Sequence, residues 1–205
     1  MKTAPPLLFA DRGCPFSHRV LALLDHLERP VRLRESAVGD KPEGVTEYSA
    51  SEQIPLLVHG DLVLTESRVM LEHLAEFHGF EGAFPAELSA RTLHRHGMAV
   101  VDCVIAPLLF RKLDESEEAR LDETITALDT IARAAPVEPS LFAFHVGPIW
   151  LRFRWWQPQG PVTRAFETRP RLRDWLDAAT QLDALRRTAP NRAAHIAQAQ
   201  QAGLL

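Results

Sequence analysis

Residues 7–28, LLFADRGCPFSHRVLALLDHLE, change their periodicity half-way. "LLFA" (7–10) is a short apolar run of the kind that makes a buried strand, and "PFSHRVLALLDHLE" (15–28) spaces its apolar residues as a helix does. A cysteine lies at the junction. Pro15 suits the first helical position, which makes Cys14 the N-cap, its sulfur facing backbone N–H groups without helical acceptors and the positive end of the helix dipole. That setting is expected to draw a thiol pKa down from about 8.5, and the thiolate is the reactive form. Arg12 and His18 are close enough in sequence to add positive charge. Taken alone, a free cysteine is more often an inert packing residue. Cys103, mid-helix among Val100, Val101, Val104 and Ile105, is read that way: buried and inert.

The motif is Cys-x-x-Ser, since Ser17 stands where a second cysteine would close a disulfide. A lone thiol needs a partner thiol from solution.

Outward from this stretch, the first eighty residues alternate strand and helix signals. "VRLRE" (31–35) has period two, and "IPLLVHGDLVLTES" (54–67) is two apolar runs around His-Gly-Asp, a hairpin pattern. "ESRVMLEHLAEFHG" (66–79) reads as a helix closed by Gly79. The order is βαβ, a weakly patterned segment at 40–50, then ββα. Beyond Pro85 only helical patterns remain: 87–113 as one long helix, then 116–135, 170–180 and 190–200. The expected organisation is an α/β domain over 1–79, a linker over 80–87 and an all-helical domain over 88–205.

Composition narrows the function classes. The chain has 205 residues, 46% of them hydrophobic, and 27 acidic against 23 basic side chains for a net charge of −4. Nucleic-acid binding, which needs a concentrated basic face, is not expected. No apolar stretch approaches the roughly 20 residues of a membrane span, and the first residues turn polar too early for a secretory signal. Two widely separated cysteines suggest a reduced, cytoplasmic protein. The nine histidines form no metal set: His94 and His96 face different sides of a helix, and His73 and His78 are five apart.

Two further motifs qualify the cysteine. Ile54-Pro55 opens a strand; a cis bond there would turn the Ile54 backbone outward to pair with an extended peptide, while a trans proline would merely start an edge strand. "TES" (65–67) stands at a helix N-terminus, where Ser67 and nearby N–H groups suit a carboxylate and Glu66 suits an ammonium; routine helix capping explains the same residues. A thiolate, an outward backbone edge and an amino-acid clamp together are what a γ-glutamyl-cysteinyl peptide requires.

On these motifs ("CPFSHRV", "KPE" at 41–43, "IPLLV" at 54–58 and "TESRVMLEHL" at 65–74) the chain resembles the glutathione transferase superfamily, of the cysteine-containing, omega-like kind. The resemblance implies a thioredoxin-like domain with a cis-proline at Pro55, a helical domain and a homodimer. It implies glutathione as co-substrate and no metal. Cys14 matches the catalytic thiol, Ile54 the residue pairing with the cysteinyl backbone, and Glu66 and Ser67 the γ-glutamyl clamp. Lys41 matches the lysine near the glycyl carboxylate, though a solvated surface lysine reads the same. The family's helical half usually opens its central helix with a Ser/Thr-x-x-Asp capping box, which "FHVGPIWLRF" (144–153) lacks; Gly147 and Pro148 are an alternative start. A cysteine in the active-site motif implies thiol transfer: reduction of mixed disulfides, deglutathionylation, possible dehydroascorbate reduction. The alternatives are conjugation of glutathione to electrophiles in detoxification, with Ser17 as the hydroxyl, and a non-enzymatic binding module.

Overall fold

The computed structural model describes residues 4–36, 40–111, 115–134, 137–201 and 203. In chain order these form β1 (Leu7–Asp11), α1 (Pro15–His26), β2 (Arg32–Ser36), β3 (Leu56–His59), β4 (Leu62–Leu64) and α2 (Ser67–His78). Then come α3 (Leu88–Val100), α4 (Glu115–Ala134), α5 (Leu141–Trp156), α6 (Pro161–Glu167), α7 (Pro170–Thr180), α8 (Asp183–Thr188) and α9 (Arg192–Gln201). Two compact units result: residues 1–81 with 183–205, and residues 82–182.

In the first unit the sheet order is β2-β1-β3-β4, with β1 parallel to β2 and the other neighbours antiparallel. The central strands carry the apolar runs, and Leu8, Phe9, Ala10, Leu56 and Leu57 are buried. The edge strands are mostly exposed, and β2 shows Arg32, Arg34 and Glu35 to solvent, as edges must to avoid further pairing. Gly60, at φ 61°, turns β3 into β4, and Gly79, at φ 66°, ends α2 in the left-handed cap expected for it. The weak segment at 40–50 holds a single short 3₁₀ turn, Val45–Glu47.

The C-terminal residues depart from the expected division, because 183–205 group with the α/β unit. His18, fully buried on α1, places Nε2 3.0 Å from the Leu185 carbonyl of α8. A carbonyl only accepts, so Nε2 bears the proton. Arg187 forks onto Asp25 of α1 at 2.7 and 3.0 Å. Neither α8 nor α6 was expected, since six and seven residues are too few for periodicity to register.

The second unit is helical, as its sequence suggests. Its centre is α5, apolar on nearly every side and buried from Leu141 to Trp150. Ser140 caps it, accepting the Ala143 N–H at 3.2 Å, so the helix starts before the stretch that lacks the box; only the acidic member is missing, at Ala143. Gly147 and Pro148 therefore lie inside the helix and do not begin it. The stretch 87–113 is not one helix either. After α3 the backbone widens into a π-helical turn, Val101–Ile105, then tightens into a 3₁₀ turn, Ala106–Leu109, with Pro107 in its first turn. The wide turn changes which side chains face inward: Val101 and Ile105 are buried, and Cys103 is exposed. Asp102 reaches the fully buried His145 of α5, whose Nε2 lies 3.0 Å from the carboxylate and 3.1 Å from the Met98 carbonyl.

Gly97 leaves no room for a side chain, since a Cβ would stand 2.5 Å from Ile131 Cδ1 and 2.8 Å from the Phe142 ring. Gly97→Ala is expected to lower unfolding stability by about 1–3 kcal/mol, despite alanine's better helix propensity, in urea denaturation.

Candidate active site

The sheet brings the expected site segments to one end. β1 runs to Asp11 and leads into Cys14, while the β1–β3 register pairs Phe9 with Leu56. Ile54 and Pro55 immediately precede Leu56 and so lie at the same end of the sheet. β4 ends at the same end, since Leu64 pairs with Leu57, and leads to Glu66 and Ser67. β2 also finishes there, with Ser36 beside Asp11. The Ile54–Pro55 bond is cis, the alternative that the family resemblance implied. Lys41 is exposed and its Nζ donates to the Glu52 carbonyl at 2.7 Å, which ties it to the segment before Ile54.

The turn ahead of α1 is organised by Asp11. Its carbonyl accepts the Cys14 N–H at 3.0 Å and its buried carboxylate accepts the Gly13 N–H at 2.6 Å. Its own N–H donates to the Ser17 hydroxyl at 3.3 Å. Because that oxygen accepts from Asp11, its proton is directed elsewhere, and the hydroxyl acts to lower the Cys14 pKa.

Cys14 is the half-exposed N-cap of α1, with Pro15 next to it. Burial of the sulfur pushes the thiol above its ordinary value, outweighing the opposing influence of the Ser17 amide and hydroxyl and the Phe16 amide; the Asp11 carboxylate adds to the rise. The depressed pKa expected from the N-cap is thus not found in the ligand-free chain. The donors are present, but loss of hydration to the thiolate is larger. The cations near in sequence are engaged elsewhere: Arg12 pairs with Glu35 on β2 at 2.6 Å, and His18 faces Leu185.

At the N-terminus of α2, Glu66 is exposed and makes no side-chain cap, while Ser67 is buried. Arg19, which the sequence reading passed over, lies here. It is 1% exposed, its Nη1 donates to Ser67 Oγ at 3.0 Å, and its guanidinium lies 4.9 Å from the centroid of the Phe16 ring. The available signal was an arginine inside the apolar run of α1, five residues after the cysteine. Among the described residues, no group of three His, Cys, Asp or Glu side chains is arranged to hold a metal.

Residues 8–82 match the family model described as the glutathione S-transferase N-terminal domain. Over that stretch the chain is similar to the glutathione transferases. Glutathione S-transferase U2 of Arabidopsis thaliana is 25% identical over 201 residues, covering 89% of this chain and 87% of that protein. The Tau class glutathione S-transferase of mango, Mangifera indica, superposes with a TM-score of 0.77 at 18% identity, covering 97% of this chain and 98% of the other. Glutathione transferase Omega 1C of Trametes versicolor superposes at 0.75 with 16% identity and 97% coverage of each chain. These folds span the Tau and Omega classes.

The elevated thiol gives a direct test. The rate of Cys14 alkylation by iodoacetamide, followed with Cys103→Ser to silence the exposed thiol, should climb about tenfold per pH unit through pH 9, with no plateau near neutrality. Ser17→Ala, which deletes one donor to the sulfur, should slow the reaction at pH 8 by about tenfold.

Proposed function

We propose that the chain is a glutathione-dependent thiol transferase with Cys14 as its nucleophile. The single observation behind this reading is a cysteine at the N-cap of α1, followed by Pro15, with the Phe16 and Ser17 amides and the Ser17 hydroxyl near enough to oppose the rise in its pKa. Those donors favour developing negative charge on sulfur. The Cys14 thiolate attacks the glutathionyl sulfur of a mixed disulfide, forming a Cys14–glutathione disulfide and releasing the substrate's thiolate. A second glutathione thiolate then attacks the glutathionyl sulfur of that disulfide, releasing oxidised glutathione and restoring the Cys14 thiolate. Glutathione would lie with its cysteinyl backbone along Ile54, beside Pro55, its γ-glutamyl group on Glu66 and Ser67, and its glycyl carboxylate toward Lys41.

Two features bear on the alternatives. Ser17 is fully buried and accepts from Asp11, which suits a supporting role for its hydroxyl better than the conjugation of electrophiles. Similarity to a family of enzymes weighs against a purely structural module. Both cysteines are free, in keeping with a cytoplasmic, reducing setting, and no described helix is long and apolar enough to cross a membrane. A homodimer belongs to the same reading. Leu62 and Val63 on β4 and Val69 and Phe77 on α2 are 51%, 44%, 45% and 48% exposed, and their burial against a second copy would account for them.

Cys14→Ser should lower kcat/KM for reduction of a small glutathionylated disulfide by more than about 1000-fold, while Cys103→Ser leaves it within about twofold. Full activity in Cys14→Ser would overturn the mechanism. Light scattering at micromolar concentration should return a dimer mass, and a monomer mass would remove the dimer from the reading.

A further inference from the structure

The guanidinium of Arg19 has no place in the thiol chemistry, yet it is a charged group in the core of the first unit. On the same helix Val20, Leu23 and Leu24 are all 3% exposed or less. A buried charge costs free energy unless nearby groups or a ligand answer it. One direction in which it is answered is Ser67, the first residue of α2, itself only 6% exposed. The amides of Ser67, Arg68 and Val69 precede the first helical bond, from the Met70 N–H to the Glu66 carbonyl at 3.0 Å. A guanidinium has donors only, so Ser67 Oγ accepts from Arg19 and turns its own proton away from it. The helix N-terminus therefore presents a hydroxyl donor whose orientation is set by a cation lying behind it in a low-dielectric interior.

We infer that Arg19 is a positioning and specificity-determining residue that reads the α-carboxylate of the γ-glutamyl group through Ser67. This rests on the glutathione reading given above and deepens it. The carboxylate would accept from the Ser67 hydroxyl and the amides around it, and the fixed charge of Arg19 would favour it over a neutral group at the same place. Stacking on Phe16, two residues from Cys14, links this charge to the helix that bears the thiol. Arg19 does not touch the reacting sulfur, and its effect is expected in binding and not in the chemical step.

The test compares two peptides: S-methylglutathione, and its 4-aminobutyryl analogue, which keeps the ammonium but lacks the α-carboxylate. Calorimetric titration of the wild-type chain should show the carboxylate-bearing peptide binding more tightly. Arg19→Met should weaken S-methylglutathione by about 10- to 30-fold and the analogue by less than about threefold, shrinking the ratio between them. Arg19→Gln, which still bonds Ser67 without a charge, should shrink the same ratio and serves if Arg19→Met does not fold. In steady-state turnover, KM for glutathione should rise while kcat at saturation stays within about threefold. Equal losses for both peptides, or an unchanged ratio, would reduce Arg19 to a packing residue and leave the glutathione reading standing. If the wild-type chain bound neither peptide, the glutathione reading itself would fall, and this assignment with it.

Discussion

Asp11 holds the turn on which the site is built. Three of its groups act in different directions within four residues of the sulfur: the carbonyl takes the Cys14 N–H, the carboxylate takes the Gly13 N–H, and the amide engages Ser17. Without that closure the chain leaving the central strand would have no fixed route into α1, and the sulfur no fixed relation to the Phe16 and Ser17 donors. Asp11 is itself fixed because β1 is paired on both sides, with β2 and with β3. The same pairing with β3 brings Ile54 and Pro55 to the end of the sheet where the turn lies. Backbone pairing thus sets the geometry before any side chain contributes.

The electrostatics of Cys14 are a contest between two consequences of one position. The N-cap supplies amides and a dipole that favour a thiolate, but the packing that aligns those donors also excludes the water that would solvate it. In the ligand-free chain exclusion wins and the thiol stays protonated at neutral pH. A thiol of this kind is protected from indiscriminate reaction, and a ligand that answers the developing charge gains more from the aligned donors than it would in water. Ser17 is the hinge of this balance, since replacing a second cysteine with a hydroxyl removes the option of an internal disulfide and adds a donor.

The two cysteines show how far local pattern reaches. Cys14 was placed correctly because a strand run, a proline and a helical run meet there, and capping depends on neighbours in sequence. Cys103 was misplaced because its burial was inferred from an uninterrupted helical period. The π-helical turn at Val101–Ile105 adds a residue to the repeat and rotates the thiol outward. The same kind of error placed residues 183–205 with the helical half, since helicity does not reveal which surface a helix packs on. The bond from His18 to the Leu185 carbonyl spans 167 positions, which no window of sequence contains.

By itself, then, the sequence determined what depends on short range: the βαβ–ββα order, the N-cap cysteine, the left-handed cap at Gly79 and the helical character beyond Pro85. It also brought out the motifs proposed to bind glutathione, because each is a cluster of adjacent residues. Tertiary structure alone decided the sign of the Cys14 pKa shift, the seat of Arg19 behind Ser67, the exposure of Cys103 and the packing of α8 on α1. Those properties depend on how much water distant segments exclude and on which groups they bring within hydrogen-bond distance, and neither is encoded in the spacing of residues along the chain.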